Sequence, residues 1–228
     1  NKWNTMAYST ISGTIEQVAQ PVLAQITDDN EREKRVFRKL MRFTAFFSFP
    51  ALFGLSLVSQ EFILLTIGEK WAECIPMLQV LCIGGAFFAF NTMYQQLAII
   101  SGRSDIYMWC NIVQIILQIA LILVSCNYGI FTMVIAYTVF SILWLGVWQW
   151  QAHRIIGLRL RDALSDTMPF MLSAAAVMVA TYFITLPIRN LWLLFPLRII
   201  IASALYFAIM KIANAEILNE CIRFVRKK

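Results

Sequence analysis

Charge is scarce in this sequence. Of its 228 residues only 14% are Asp, Glu, Lys or Arg, while 60% are hydrophobic; globular proteins carry roughly 25% charged residues. An ordinary soluble domain is therefore excluded. Histidine is nearly absent as well: the single His153 has no neighbouring His or Cys with which to share a metal, and it reads as a helix-end residue at headgroup depth. The five cysteines, Cys74, Cys82, Cys110, Cys126 and Cys221, are far apart and form no Cys-x-x-Cys pair, so neither a disulfide framework nor a zinc site follows. No cofactor is implied. Paired carboxylates, a His-x4-Asp motif and a Ser/His constellation are missing too, which argues against an enzyme.

Room is also lacking. A bilayer core of about 30 Å takes about 20 apolar residues per helical span, so six or seven spans use most of this chain and leave only short loops. The net charge of +6 would suit nucleic acid in a polar protein, but a mean hydropathy of +0.68 points to membrane and not to nucleic acid. The chain opens at Asn1 on a polar stretch, without a charged segment, apolar core and small-residue cleavage site in succession. It reads as starting mid-protein.

What is present is a series of uncharged runs between clusters of charge. From Thr5 to Ile26 the residues Ser9, Ser12, Glu16 and Gln20 fall along one stripe at helical period, predicting a first span with one polar wall. The densest charge follows, from Asp28 to Arg42. The second span runs from Phe43 through Gly68 with Glu61 interrupting near its far end, and Gly68-Glu69-Lys70-Trp71 makes a turn. Cys74 to Gly102 predicts a third span. Nearly fifty uncharged residues from Ile106 to His153 are too long for one helix and split at Asn127-Tyr128-Gly129 into a fourth and a fifth. Gly157 to Asp166 reads as a short amphipathic connector at the surface, Thr167 to Pro187 as the sixth span, Leu191 to Ile212 as the seventh, and the tail beyond Asn214 as a solvated or interfacial helix. The fold class is thus an all-α polytopic bundle of about seven transmembrane helices.

The bases fix its orientation. If the first span runs inward, fifteen of the nineteen Lys and Arg lie on the cytoplasmic side, the exceptions being Lys2, Lys70, Arg189 and Arg198, as the positive-inside rule requires. The C-terminus is then cytoplasmic.

Four segments resemble the bacterial polysaccharide transporters of the multidrug/oligosaccharidyl-lipid/polysaccharide flippase superfamily. They are Val18-Ala19-Gln20-Pro21-Val22-Leu23-Ala24 leading into Asp28-Asp29, Phe49-Pro50-Ala51-Leu52-Phe53-Gly54-Leu55, Gly68-Glu69-Lys70-Trp71, and Ser101-Gly102-Arg103-Ser104-Asp105. Their order and spacing carry the resemblance over Thr5 to Gly157, and the last two spans match in hydropathy alone. It implies one lobe, the C-terminal half, of a two-lobed bundle in the bacterial inner membrane that flips polyprenyl-diphosphate-linked oligosaccharide by alternating access. The missing N-terminal lobe would supply the facing cavity wall, and membrane lipids and the polysaccharide polymerase machinery would be further partners. Residues 1–157 would form the lobe core and residues 158–228 two additional C-terminal helices with a basic tail.

Moving a sugar-diphosphate head through hydrocarbon needs a polar path. Candidates for it are Ser9, Ser12, Glu16 and Gln20; Asn91 with Gln95 at i, i+4; and the row Tyr107, Asn111, Gln114, Gln118. Each set reads equally as polar glue between packed helices. Glu16 is the candidate for ion coupling or a solvated lining residue. Arg198, about 13 Å along a helix from Arg189, either binds diphosphate or snorkels outward past Pro196. The basic cluster from Arg32 to Arg42 either attracts the diphosphate or acts as a topology signal. Pro50, Gly54 and Gly84-Gly85 are bending points or sites of close packing. Alternatives to a flippase are an integral glycan polymerase or acyltransferase acting on the same lipid-linked sugars, and a drug or small-solute exporter of the same superfamily.

Overall fold

The computed structural model describes residues 30–188 and 190–212. Its long elements are α1 (Asn30–Leu57), the short α2 (Ser59–Thr66), α3 (Ile75–Ile100), α4 (Ser104–Ser125), α5 (Ile130–Ile156), α6 (Leu160–Thr185) and α7 (Leu191–Ile212). Turns of 3-10 helix at Glu69–Cys74 and Cys126–Tyr128 lie before α3 and α5. No strand occurs among the described residues. Hydrocarbon offers no partner to backbone N–H and C=O groups, so each crossing segment closes its own hydrogen bonds as a helix. Among the described residues six helical stretches are long and apolar enough to cross a bilayer, and the protein is a multi-pass membrane bundle. The predicted first span and the tail beyond Ile212 lie outside the described residues.

The helices alternate in direction, which gathers the described bases other than Lys70 and Arg198 at one end. α1 lies between α3 and α6; α5 packs on α3, α4 on α5, and α7 on α6 and on α2. The seam of α1 is built from Phe37, Met41, Ala45, Phe49 and Leu52, all at most 2% exposed and spaced to form one stripe. On α7 the buried residues Leu194, Arg198, Ala202, Tyr206 and Met210 recur every four positions. One buried cluster runs from Phe37 through Trp148 to Met210, so residues on both sides of position 157 share a core. Hydrogen bonds tie the layers: Ser48 donates to the Ala86 carbonyl (3.0 Å), Tyr206 to the Phe46 carbonyl (3.1 Å), and Tyr94 to Gln149 Oε1 (2.5 Å). Gln149 in turn donates to the Leu158 carbonyl at 3.0 Å.

Two boundaries differ from the sequence reading. The charged stretch before Phe43 is no loop, because α1 starts at Asn30 and extends about 20 Å beyond the apolar run. Its bases do more than face water. Arg38 donates to both carboxylate oxygens of Asp166 (2.6 and 3.2 Å) and Arg42 to Oδ1 (2.7 Å), while Ser101 donates to Glu33 Oε1 at 3.0 Å. The expected connector from Gly157 to Asp166 is the second correction: α5 ends at Gly157, whose φ of 66° only glycine adopts without cost, and α6 begins at Leu160. Charges that suggested a surface connector belong to the first turns of a spanning helix. Asp166, 4% exposed, holds that helix to α1.

Candidate functional site

α4 shows most plainly how the sequence places polar groups. Its period turns Tyr107, Asn111, Gln114 and Gln118 to the half-buried side of the helix, whereas Trp109, Ile112, Ile115, Ile116 and Ile119 are exposed. The Asn111 amide donates to the Tyr107 carbonyl at 2.8 Å, and Gln95 on α3 donates to Asn111 Oδ1 at 3.4 Å. Two of the expected path residues are thereby brought together across a helix pair. Gln114 and Gln118 make no hydrogen bond among the described residues, so each leaves a half-buried amide with donor and acceptor capacity unspent.

Asn91, one turn before Gln95, is deeper still. It is 2% exposed, and its Oδ1 lacks a partner among the described residues, as do the indole N–H groups of Trp144 and Trp148 on α5, the helix packed against α3. Such unmet buried groups are few in folded proteins. Ser9, Ser12, Glu16 and Gln20, and with them the expected coupling carboxylate, lie outside the described residues.

Arg198 corrects a second expectation. It does not snorkel: only 6% exposed, it forms an ion pair with Glu61 of α2, Nη1 to Oε1 at 2.7 Å. Nε donates to Thr185 Oγ1 at 3.1 Å and Nη1 also to the Leu57 carbonyl at 3.3 Å, and the guanidinium carbon stands 5.5 Å from the Tyr182 ring centre. A guanidinium in an apolar surround is costly unless paired, and the ends of α1, α6 and α2 supply the partners. Glu61 was missed as a functional residue because it read as the end of a span. The usable signal was an isolated acid and an isolated base at the same end of the bundle, each in an apolar run. Two cavities meet at Arg198. One of about 470 Å³ is walled mainly by apolar residues including Phe46, Pro50, Phe62 and Phe195. The other, about 540 Å³, has Ser56, Gln60, Gln79 and Tyr182 in its wall.

Residues 1–76 match the family described as polysaccharide biosynthesis protein. A protein described as an uncharacterized membrane protein in the cps region of Klebsiella pneumoniae is 36% identical over 117 residues, covering 51% of this chain and 24% of its own length. The lipopolysaccharide biosynthesis protein WzxC of Escherichia coli is 36% identical over 111 residues, 49% of this chain and 23% of its own. The teichuronic acid biosynthesis protein TuaB of Bacillus subtilis is 27% identical over 172 residues, 75% of this chain and 36% of its own. The matched stretches thus span between about a quarter and a third of these relatives. No solved structure matches the chain. Joined to a bundle of apolar spans, these matches make the chain similar to polysaccharide biosynthesis membrane proteins, over its first third by the family model and over about half of its length by two of the relatives.

Proposed function

We propose that this chain forms the C-terminal lobe of a flippase that moves polyprenyl-diphosphate-linked oligosaccharide across the bacterial inner membrane by alternating access, without covalent chemistry. The observation that carries the reading is the polar face of α4. The amides of Gln114 and Gln118, without a partner among the described residues, continue the Gln95–Asn111 contact along one side of a helix whose other faces are apolar. Amides suit sugar hydroxyls, and the lipid tail stays in the bilayer. The facing wall comes from an N-terminal lobe, and the described basic end, with Arg38, Arg42, Arg103 and Arg154, is cytoplasmic.

In proteoliposomes holding the complete transporter, a fluorescent lipid-diphosphate-oligosaccharide should exchange between leaflets. Replacing Gln114 and Gln118 together by leucine should slow that exchange about tenfold, the cost of one or two net hydrogen bonds. Exchange no faster than in protein-free vesicles overturns the flippase reading. Orientation has its own check. The native Cys126, exposed in the turn before α5, should react with an impermeant maleimide added outside, and a cysteine placed by Ser104→Cys at the start of α4 should react only from inside. The reverse pattern would invert the topology.

A further inference from the structure

Arg198 is held by its partners without being used up. Among the described residues, Nε and Nη1 carry all of its hydrogen bonds, and none runs through Nη2. Glu61, only 1% exposed, pairs through Oε1, while its Oε2 is buried with no partner among the described residues. A carboxylate that fully satisfied the guanidinium would take both faces of its fork, two parallel bonds to two oxygens. Here the fork is half engaged. Arg198 also borders the cavity of about 540 Å³, inside the range of roughly 300–1,000 Å³ typical of small-molecule sites. Ser56, Gln60 and Gln79 bring hydroxyl and amide groups to the same wall.

We propose that Arg198 anchors a lipid-phosphate-binding site in this cavity and that Glu61 is the built-in anion that occupies the guanidinium while the site is empty. A phosphate group matches the guanidinium fork better than a carboxylate bound by one oxygen. It enters by taking Nη2 first and then displacing Oε1 from Nη1. Glu61 left alone at such burial would be an uncompensated charge, which costs several kcal/mol, so the carboxylate competes with phosphate for the guanidinium. No covalent bond forms or breaks. The groups facing Glu61 are few: Arg198 from α7, the Leu57 carbonyl from α1, and Tyr182 and Thr185 from α6 through the guanidinium. Glu69, Lys70 and Glu73, in the turn packed against α2, are exposed, and α3 offers the cavity Gln79 and Ile83, which do not titrate. Glu61 is thus the one anion that competes for Arg198 among the described residues. The physiological ligand rests on the flippase reading: the phosphate would be that of the lipid-linked sugar. A bilayer phospholipid headgroup carries the same chemistry.

The test measures binding of farnesyl diphosphate to the full chain in detergent, without transport, so that its failure and that of the flippase reading are separable. Glu61→Gln keeps an acceptor for Nη1 and removes the competing charge; it should bind at least about tenfold tighter than wild type. Glu61→Gln with Arg198→Gln leaves the site neutral and foldable and should not bind. A Glu61→Gln protein with wild-type affinity, or a double variant that still binds, overturns the proposal. In a second arm, dihexanoyl phosphatidylglycerol competes with farnesyl diphosphate. Weak competition supports the lipid-linked sugar as ligand; competition at equal concentration overturns that assignment and gives the site to bilayer lipid.

Discussion

Arg198→Met should cost about 3 kcal/mol of stability, because it strips the partner from a carboxylate that is only 1% exposed. Breaking a buried pair costs about 3–5 kcal/mol in soluble proteins, and the lower end applies here because polar groups in a micelle-bound denatured state find other partners. Arg198→Met with Glu61→Leu should recover most of the loss, since two apolar side chains of similar size can replace a buried ion pair at little net cost. The readout is the temperature at which the monodisperse fraction in detergent falls by half, taken through the full cycle of wild type, both singles and the double. A snorkelling arginine would give a different pattern, in which Arg198→Met is harmless and Glu61→Leu acts independently of it. Wild-type stability in Arg198→Met would remove the pair from the account. The size of the coupling also tells how firmly α7 is locked to α2, because Arg198 reaches Leu57, Glu61 and Thr185 together.

Why that pair escaped the sequence reading is a matter of distance along the chain. Periodicity and hydropathy are local, and they located what is local. The seventh span was placed at Leu191 to Ile212, where α7 lies, and the turn at Asn127-Tyr128-Gly129 divides α4 from α5, its Gly129 at φ 94°. The polar face of α4 was likewise legible, since a row at helical spacing must share a side. Which helix that side meets was not. Asn111 meets Gln95 on α3 because α3 and α4 are joined by a tight turn at Ser101–Arg103, but Glu61 and Arg198 are separated by 137 positions, and nothing in either local run names the other.

Charge misled where it sits at a helix end. Arg159, Arg161, Asp162 and Asp166 look like a surface connector because charged residues belong in water, yet a helix entering a membrane starts in the headgroups and carries such residues in its first turns. Asp166 could not be assigned from sequence at all, its two arginines being on α1. The same holds for the basic cluster: Arg38 and Arg42 do count toward orientation, and they also fasten α6 to α1. A single residue thus serves topology and packing together, and hydropathy reports only the first.

Gly84 separates bending from close packing by the sign of one substitution. A methyl group is favoured in a helix over glycine by up to about 1 kcal/mol, so Gly84→Ala stabilises the bundle if the glycine is there only to let α3 flex. The structure says otherwise. A Cβ at Gly84 would stand 2.6 Å from Thr138 Cγ2 on α5, too close for any methyl pair, and Thr138 is β-branched and stiff about χ1 in a helix, so it does not swing aside. α3 and α5 must move apart along a seam that is buried at Thr138, Trp144 and Trp148. Gly84→Ala is therefore expected to destabilise by about 1–3 kcal/mol, and Gly84→Leu by more. Adding Thr138→Ala removes the obstructing methyl and should return most of the loss. Gly146 supplies the internal control, since nothing lies within 4 Å of a Cβ built there: Gly146→Ala should be neutral or slightly stabilising in the same detergent assay. If Gly84→Ala instead raises stability as Gly146→Ala does, the two helices are not in contact at Gly84, and the flexing of α3 becomes its role.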